Sequence, residues 1–216
     1  MKIGVFDSGI GGLSVAKAIE HVFPDAQVLF RKDSSGHFPY ATKTPDELYG
    51  YVVPVLQSLV DEGCEVLVIA CNTVSTTLIQ RLREQFTTPL VAVEPMVKPA
   101  AMASKRGAIA VCATPTTLAS ERYVELKRLH AQHVTVIEPD CADWSELIEH
   151  NKMNENILRE QLQPALAAGV DVVVLGCTHY HWVESEVRSI MGPDVQVMQP
   201  EIAVIEQLTR VSALLR

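Results

Sequence analysis

Two of the five cysteines stand where a chain can do chemistry. Cys71 closes the apolar run Val66-Leu67-Val68-Ile69-Ala70 and is followed at once by Asn72 and Thr73. Cys177 closes Val172-Val173-Val174-Leu175-Gly176 and is followed by Thr178 and His179. A short apolar run bounded by polar residues reads as a strand buried on both faces. In open parallel sheets, ligands collect beyond the carboxyl ends of the strands. A free thiol has a pKa of about 8.5, so ionising near neutrality takes help. A helix that starts just behind the cysteine supplies it, because its free N–H groups favour negative charge. Two thiols on opposite sides of one carbon suit a two-base proton exchange. One thiolate removes the Cα proton, the opposite thiol returns a proton to the other face, and the configuration inverts.

Other residues fit around each thiol. Asp7 and Asp33 are placed to close one site and Glu149 and His179 the other; either type can orient a thiol or relay its proton. Asp7-Ser8-Gly9-Ile10-Gly11-Gly12 is a glycine-rich strand-to-helix turn that offers backbone donors to an anion. It lacks the spacing of a nucleotide-binding loop. Asn72, Thr73, Thr114, Thr117 and Thr178 add neutral hydrogen-bonding groups. Asp7 alone would also suit a helix N-cap. Cys177, His179 and His181 alternate along the chain, but no second Cys/His cluster accompanies them, so no metal is expected. Cys64, Cys112 and Cys141 read as buried small hydrophobes, and no disulfide is expected. His21, His37, His130, His133 and His150 have no motif context and read as surface residues. Trp144 and Trp182 read as packing near the cleft or core.

The elements that hold these groups alternate. Strands are expected at Ile3–Phe6, Gln27–Phe30, Val66–Ala70, Leu90–Val93, Ala108–Val111, Val134–Ile137, Val170–Leu175 and Val195–Met198. Helices are expected at Leu13–Val22, Pro45–Glu62, Thr76–Gln85, Thr117–Leu129, near Asp143–Glu149, over Asn154–Ala168, from Trp182, and at the end near Ile202–Leu215. The stretch with Glu94-Pro95 and Lys98-Pro99 reads as a crossover. Such alternation implies parallel sheets covered on both faces by helices. The pattern also repeats. Ile3–Ser8 resembles Ile109–Thr114, and Glu65–Thr73 resembles Asp171–His179, both at an offset of 106 residues. Two matches in one register argue for an internal duplication. The expected fold is therefore α/β: two similar parallel-sheet lobes related by pseudo-two-fold symmetry, with the active site in the cleft between them. The first lobe would span residues 1–93, completed by the C-terminal helix 202–216, and the second 94–201.

Composition narrows the partners. The 216 residues are 48% hydrophobic and 20% charged, with a net charge of −8. There is no basic run for a nucleic-acid backbone, no stretch of the roughly 18 apolar residues that a membrane span needs, and no signal-peptide pattern at Met1–Gly9. The protein reads as cytoplasmic. An acidic protein gives an anionic substrate no long-range attraction, so local donors would have to bind it.

The segments Gly4–Ser14, Phe38-Pro39-Tyr40 with Thr42-Lys43, Ala70–Thr73 and Gly176–Tyr180 resemble glutamate racemases of the aspartate/glutamate racemase family. Val93-Glu94-Pro95 and Ala113–Thr117 with Ser120 add to the match, which covers nearly the whole chain in order. The resemblance implies interconversion of L- and D-glutamate without pyridoxal phosphate, metal or other cofactor. It implies Cys71 and Cys177 as the acid/base pair, Asp7 and His179 as their assistants, and Asp33 and Glu149 behind them. Asp7, Ser8, Tyr40, Ala41, Asn72, Thr73, Thr178 and His179 would contact the substrate. It further implies a homodimer that supplies D-glutamate for peptidoglycan. Cys71 would deprotonate D-glutamate and Cys177 L-glutamate. Ala41 departs from the glycine usual after Pro-Tyr, and Arg31-Lys32 stand where small or apolar residues are usual. The two cations read as a solvated edge. An aspartate racemase, another carbon-acid enzyme of the same fold and a non-catalytic amino-acid-binding protein remain alternatives; a decarboxylase would need only one cysteine.

Overall fold

The computed structural model describes residues 1–215. These form two compact units, residues 1–94 with 200–215, and Pro95–Gln199. Each unit is built on a four-stranded parallel sheet. The first contains β1 (Lys2–Asp7), β2 (Gln27–Lys32), β3 (Val66–Ile69) and β4 (Leu90–Ala92), in the order β2-β1-β3-β4. The second contains β5 (Ala108–Cys112), β6 (Thr135–Ile137), β7 (Val172–Leu175) and β8 (Gln196–Met198), in the matching order β6-β5-β7-β8.

The helices are α1 (Leu13–Val22), α2 (Pro45–Asp61), α3 (Asn72–Gln85), α4 (Val97–Ala103), α5 (Pro115–Ala119), α6 (Glu121–His130), α7 (Trp144–Glu149), α8 (Glu155–Ala167), α9 (Glu184–Met191) and α10 (Glu201–Leu214). None is long and apolar enough to cross a membrane among the described residues.

The duplication extends to the register of the central strands. Ile3 pairs with Val66 on β1 and β3, and Ile109 pairs with Val172 on β5 and β7. Beyond the paired strands, the Ala70 amide donates to the Phe6 carbonyl at 2.8 Å and the Gly176 amide to the Cys112 carbonyl at 2.7 Å. Cys71 and Cys177 therefore leave their sheets at equivalent points, immediately past a central strand.

Side-chain alternation sorts each central strand between two cores. Phe6, Leu67 and Ile69 pack with Leu48, Val52 and Leu56 of α2 and Leu78 of α3. Ile3, Val5, Val66 and Val68 pack on the other face with Ile19 of α1 and Val204 and Leu208 of α10. In the second unit Ala110, Val173 and Leu175 face α8 and α9, while Ile109, Val111, Val172 and Val174 face α4 and α6. Burial on both faces explains why these strands are continuous apolar runs.

Several boundaries differ from the sequence reading. The stretch read as a crossover contains α4. Pro99 lies in its first turn, where its missing N–H forfeits no helical bond. α3 begins at Asn72, four residues before Thr76. The helix expected over Thr117–Leu129 is two, α5 and α6, with Ser120 between them; its hydroxyl accepts from the Tyr123 amide at 3.2 Å and caps α6. Residues Thr178–Val183 form a 3-10 segment before α9.

One buried carboxylate ties the start of the second sheet. Ser104 Oγ donates to Asp171 Oδ1 at 2.6 Å, and the amides of Lys105 and Arg106 donate to Oδ2 at 2.6 and 2.8 Å. Burial pushes the carboxyl pKa up, but these donors outweigh it and hold it below its ordinary value. Asp171→Ala leaves the three donors without their acceptor and is expected to cost about 2 kcal/mol in urea unfolding. Because the folded pKa is depressed, the wild-type contribution is present above the unfolded carboxylate range of about 4 and is lost as pH falls through the folded value. The difference between variant and wild type should accordingly shrink in acid.

Candidate active site

The residues predicted for catalysis form two separate groups, one in each unit. In the first unit, Asp7 is the last residue of β1 and is fully buried. Its Oδ1 accepts from the Gly9 amide at 2.9 Å and from Ser8 Oγ at 3.4 Å. Cys71 Sγ donates to Ser8 Oγ at 3.5 Å. A chain of polar contacts thus runs from the thiol through a hydroxyl to a carboxylate. Asp7 is not a helix cap: the N-cap of α1 is Gly12.

Gly12 has a different purpose. A Cβ there would lie 2.5 Å from Asp7 Cβ and 3.0 Å from its Cγ. Only a hydrogen lets the turn close over the aspartate. Gly12→Ala therefore forces Asp7 or the turn itself to shift, and it is expected to lower the rate about tenfold. Steady-state kinetics beside an unchanged circular-dichroism spectrum would check this.

Cys71 is the N-cap of α3, so its Sγ lies at the positive end of a 14-residue helix. Asn72 and Thr73 occupy the first turn and are buried. Neither amide atom of Asn72 has a hydrogen-bond partner among the described residues. A buried, unsatisfied amide costs about 1–3 kcal/mol and calls for an explanation such as a ligand.

Asp33 and Tyr40 complete this group. The Asp33 amide donates to the Asp7 carbonyl at 3.3 Å, and Tyr40 Oη donates to Asp33 Oδ2 at 2.8 Å. Burial, then the bond to Asp33, raises the Tyr40 pKa far above its ordinary value, so the hydroxyl stays a donor. Ala41 follows, also buried, in the 3-10 turn Tyr40–Thr42. Asn151 is the one non-glycine residue with a left-handed backbone among the described residues. Ala41 thus needs no glycine conformation, and its methyl group brings no backbone strain.

Arg31 does not join the group. Its guanidinium meets both carboxylate oxygens of Glu62 at 2.8 and 3.0 Å. Glu62 lies by Lys2, whose Nζ donates to its carbonyl at 2.7 Å, at the start of β1 and away from Asp7. Lys32 is exposed.

In the second unit Cys177 precedes the 3-10 segment instead of an α-helix, so the macrodipole behind it is weaker than the one behind Cys71. A histidine stands in its place. Cys177 Sγ and His179 Nδ1 are 3.9 Å apart, and His179 Nε2 is 2.7 Å from Glu149 Oε2. The carboxylate accepts the Nε2 proton, which fixes Nδ1 as the acceptor facing the thiol. Trp144 at the start of α7 packs edge-on to Tyr180, with ring centroids 4.9 Å apart, so the two elements carrying Glu149 and His179 are locked together. Its indole also bonds to Gln161.

Thr114 lies two residues past β5. Its Oγ1 accepts from the Thr117 amide at 3.3 Å and donates to Thr117 Oγ1 at 3.0 Å. Both threonines and Thr178 are buried.

Cys64, Cys112 and Cys141 are buried, as expected. Burial raises the Cys64 thiol, and burial followed by the neighbouring Cys112 thiol raises Cys141; both stay neutral and unreactive. No group of three His, Cys, Asp or Glu side chains could hold a metal ion among the described residues. Trp182 is exposed, unlike Trp144. His37 was missed as a member of the first group: its Nδ1 is 2.9 Å from Asp33 Oδ2. The signal available was an aspartate four residues before a histidine and close to a tyrosine.

Residues 3–208 match the family model for Asp/Glu/Hydantoin racemase. A glutamate racemase of Pseudomonas putida (strain GB-1) is 39% identical over 213 residues, which is 96% of this chain and 80% of that protein. One from Methylococcus capsulatus is 36% identical over 96% of this chain and 78% of that protein. Among solved structures, Escherichia coli glutamate racemase in complex with L-glutamate and the activator UDP-MurNAc-Ala superposes with a TM-score of 0.90. It is 30% identical, covering 97% of this chain and 81% of that one. With the duplicated sheets and both cysteine motifs in register, this chain belongs to the Asp/Glu/hydantoin racemase family and, within it, to the glutamate racemases.

Proposed function

We propose that this chain interconverts L- and D-glutamate by two-base chemistry with Cys71 and Cys177. The observation that carries the reading is the placement of a thiol at the same point past each central strand, backed in one unit by Ser8 and Asp7 and in the other by His179 and Glu149. Inversion needs a proton acceptor on one face of Cα and a donor on the other, and each unit supplies one thiol. From D-glutamate, the Cys71 thiolate takes the Cα proton as the carbanion forms, and the Cys177 thiol protonates the opposite face. The enzyme is left with a Cys71 thiol and a Cys177 thiolate, the state that reacts with L-glutamate.

The remaining groups bind and orient. The Asn72 amide offers both a donor and an acceptor to the amino acid. Ser8, Tyr40, Thr73, Thr114, Thr117 and Thr178 add hydroxyls, and the Ala41 backbone adds a further contact. These local donors offset the net negative charge of the protein, which repels an anionic substrate. No cofactor enters this scheme. A cytoplasmic homodimer supplying D-glutamate for peptidoglycan completes the reading.

The test is incubation of metal-free protein with L-glutamate in D2O, following optical activity by circular dichroism and Cα–H by NMR, with aspartate in parallel. Decay of the optical signal with deuterium incorporation from glutamate supports the reading. Turnover of aspartate instead, or no exchange with either acid, overturns it.

A further inference from the structure

We infer that His37 is a positioning residue for the reaction: by donating to Asp33 it holds that carboxylate, and through it the Tyr40 hydroxyl, in place for substrate. The inference rests on the proposed binding of glutamate by the Tyr40 segment.

The Asp33 side chain is 1% exposed. A carboxylate withdrawn this far from water is stable only with a full set of donors. Ser35 donates its amide to Oδ1 at 2.9 Å, while Tyr40 Oη and His37 Nδ1 converge on Oδ2 at 2.8 and 2.9 Å. Asp33 is therefore occupied as an acceptor, and its effect on the site passes through Tyr40.

His37 is itself held. Its ring lies flat on Tyr51 of α2, with centroids 3.7 Å apart and planes 3° from parallel. Tyr51 in turn lies 6.3 Å from the Tyr40 ring. The stack aims Nδ1 at the carboxylate. α2 is anchored immediately after the Tyr40 turn by a capping box, in which Thr44 and Glu47 bond each other's amides. The segment between Asp33 and α2 thus has a fixed end at Thr44 and a side-chain clasp at His37.

Two substitutions separate the donor from the stack. His37→Phe keeps an aromatic ring on Tyr51 and removes the donor. His37→Asn removes the ring and places an amide N–H close to the position of Nδ1. The Phe variant is expected to raise KM for both enantiomers about tenfold, the loss of one charge-assisted bond, with kcat within about threefold of wild type. The Asn variant should return KM to within about threefold of wild type. Amide hydrogen exchange across residues 35–42 of the ligand-free protein should quicken about tenfold in the Phe variant and stay near wild type in the Asn variant.

An unchanged KM in the Phe variant, an Asn variant no better than Phe, or a loss confined to kcat would overturn the assignment. If wild type fails to racemise glutamate, the functional reading falls. The exchange data then decide whether His37 holds the segment, and unchanged exchange in the Phe variant overturns that as well.

Discussion

Replacing Cys71 or Cys177 with serine is expected to lower glutamate racemisation about 1,000-fold in each case, the scale of a lost general acid or base. The fold should survive, because serine is smaller than cysteine and both positions border polar neighbours. A serine hydroxyl is too weak an acid to form the base, and neither a helix N-terminus nor a histidine closes that gap. Proton exchange distinguishes a two-base site from two merely structural thiols. In the Cys71→Ser variant, Cys177 still removes the α-proton of L-glutamate and returns a solvent-derived one to the same face. L-Glutamate in D2O should therefore gain deuterium without inverting, while D-glutamate stays protonated. Cys177→Ser should show the reverse. Deuterium entering D-glutamate in the Cys71→Ser variant would refute the assignment of faces, and near-normal racemisation in either variant would refute the mechanism.

Much of this architecture is legible in the sequence because strong signals coincide. The buried central strands are unbroken apolar runs, and their two cysteine motifs recur in one register, so the topology and the special positions of Cys71 and Cys177 emerge together. The misreadings occur where local signals conflict with tertiary structure. Lys98-Pro99 suggests a break, yet a proline in the first turn is harmless. Asn72-Thr73-Val74-Ser75-Thr76-Thr77 has low helix propensity. It is nonetheless helical, because Ser75 and Thr76 satisfy their hydroxyls on the carbonyls of Ile69 and Asn72 and Val74 and Leu78 fill the core. Ser120 interrupts one apparent helix by capping the next. His37 carries no periodicity or motif, and its partnership with Asp33 depends on a loop conformation that periodicity cannot describe. The asymmetry between the two thiols is hidden for the same reason: Cys71 and Cys177 have similar neighbours in sequence, but only one starts an α-helix.

That asymmetry makes Glu149→Gln the more informative of the charge-removing substitutions. Glutamine preserves the shape and an acceptor oxygen at 149, but the imidazolium formed when His179 takes up a proton loses its anionic partner 2.7 Å away. Loss of a charge-assisted hydrogen bond is worth about 1.5–3 kcal/mol, so kcat/KM is expected to fall about 30-fold. The fall must be equal in both directions. L- and D-glutamate are enantiomers of equal free energy, so the equilibrium constant is one and every variant has the same kcat/KM from either side. The side on which Glu149 acts must therefore appear elsewhere. Slower proton transfer at Cys177 makes that step more rate-limiting in both directions. With α-deuterated L-glutamate the labelled proton moves in that step, and the primary isotope effect should rise. With α-deuterated D-glutamate the labelled proton moves at Cys71, and the isotope effect should fall. Isotope effects that move in the opposite senses would place Glu149 on the wrong side of the reaction. An unchanged kcat/KM would show that the Glu149–His179 pair serves structure alone.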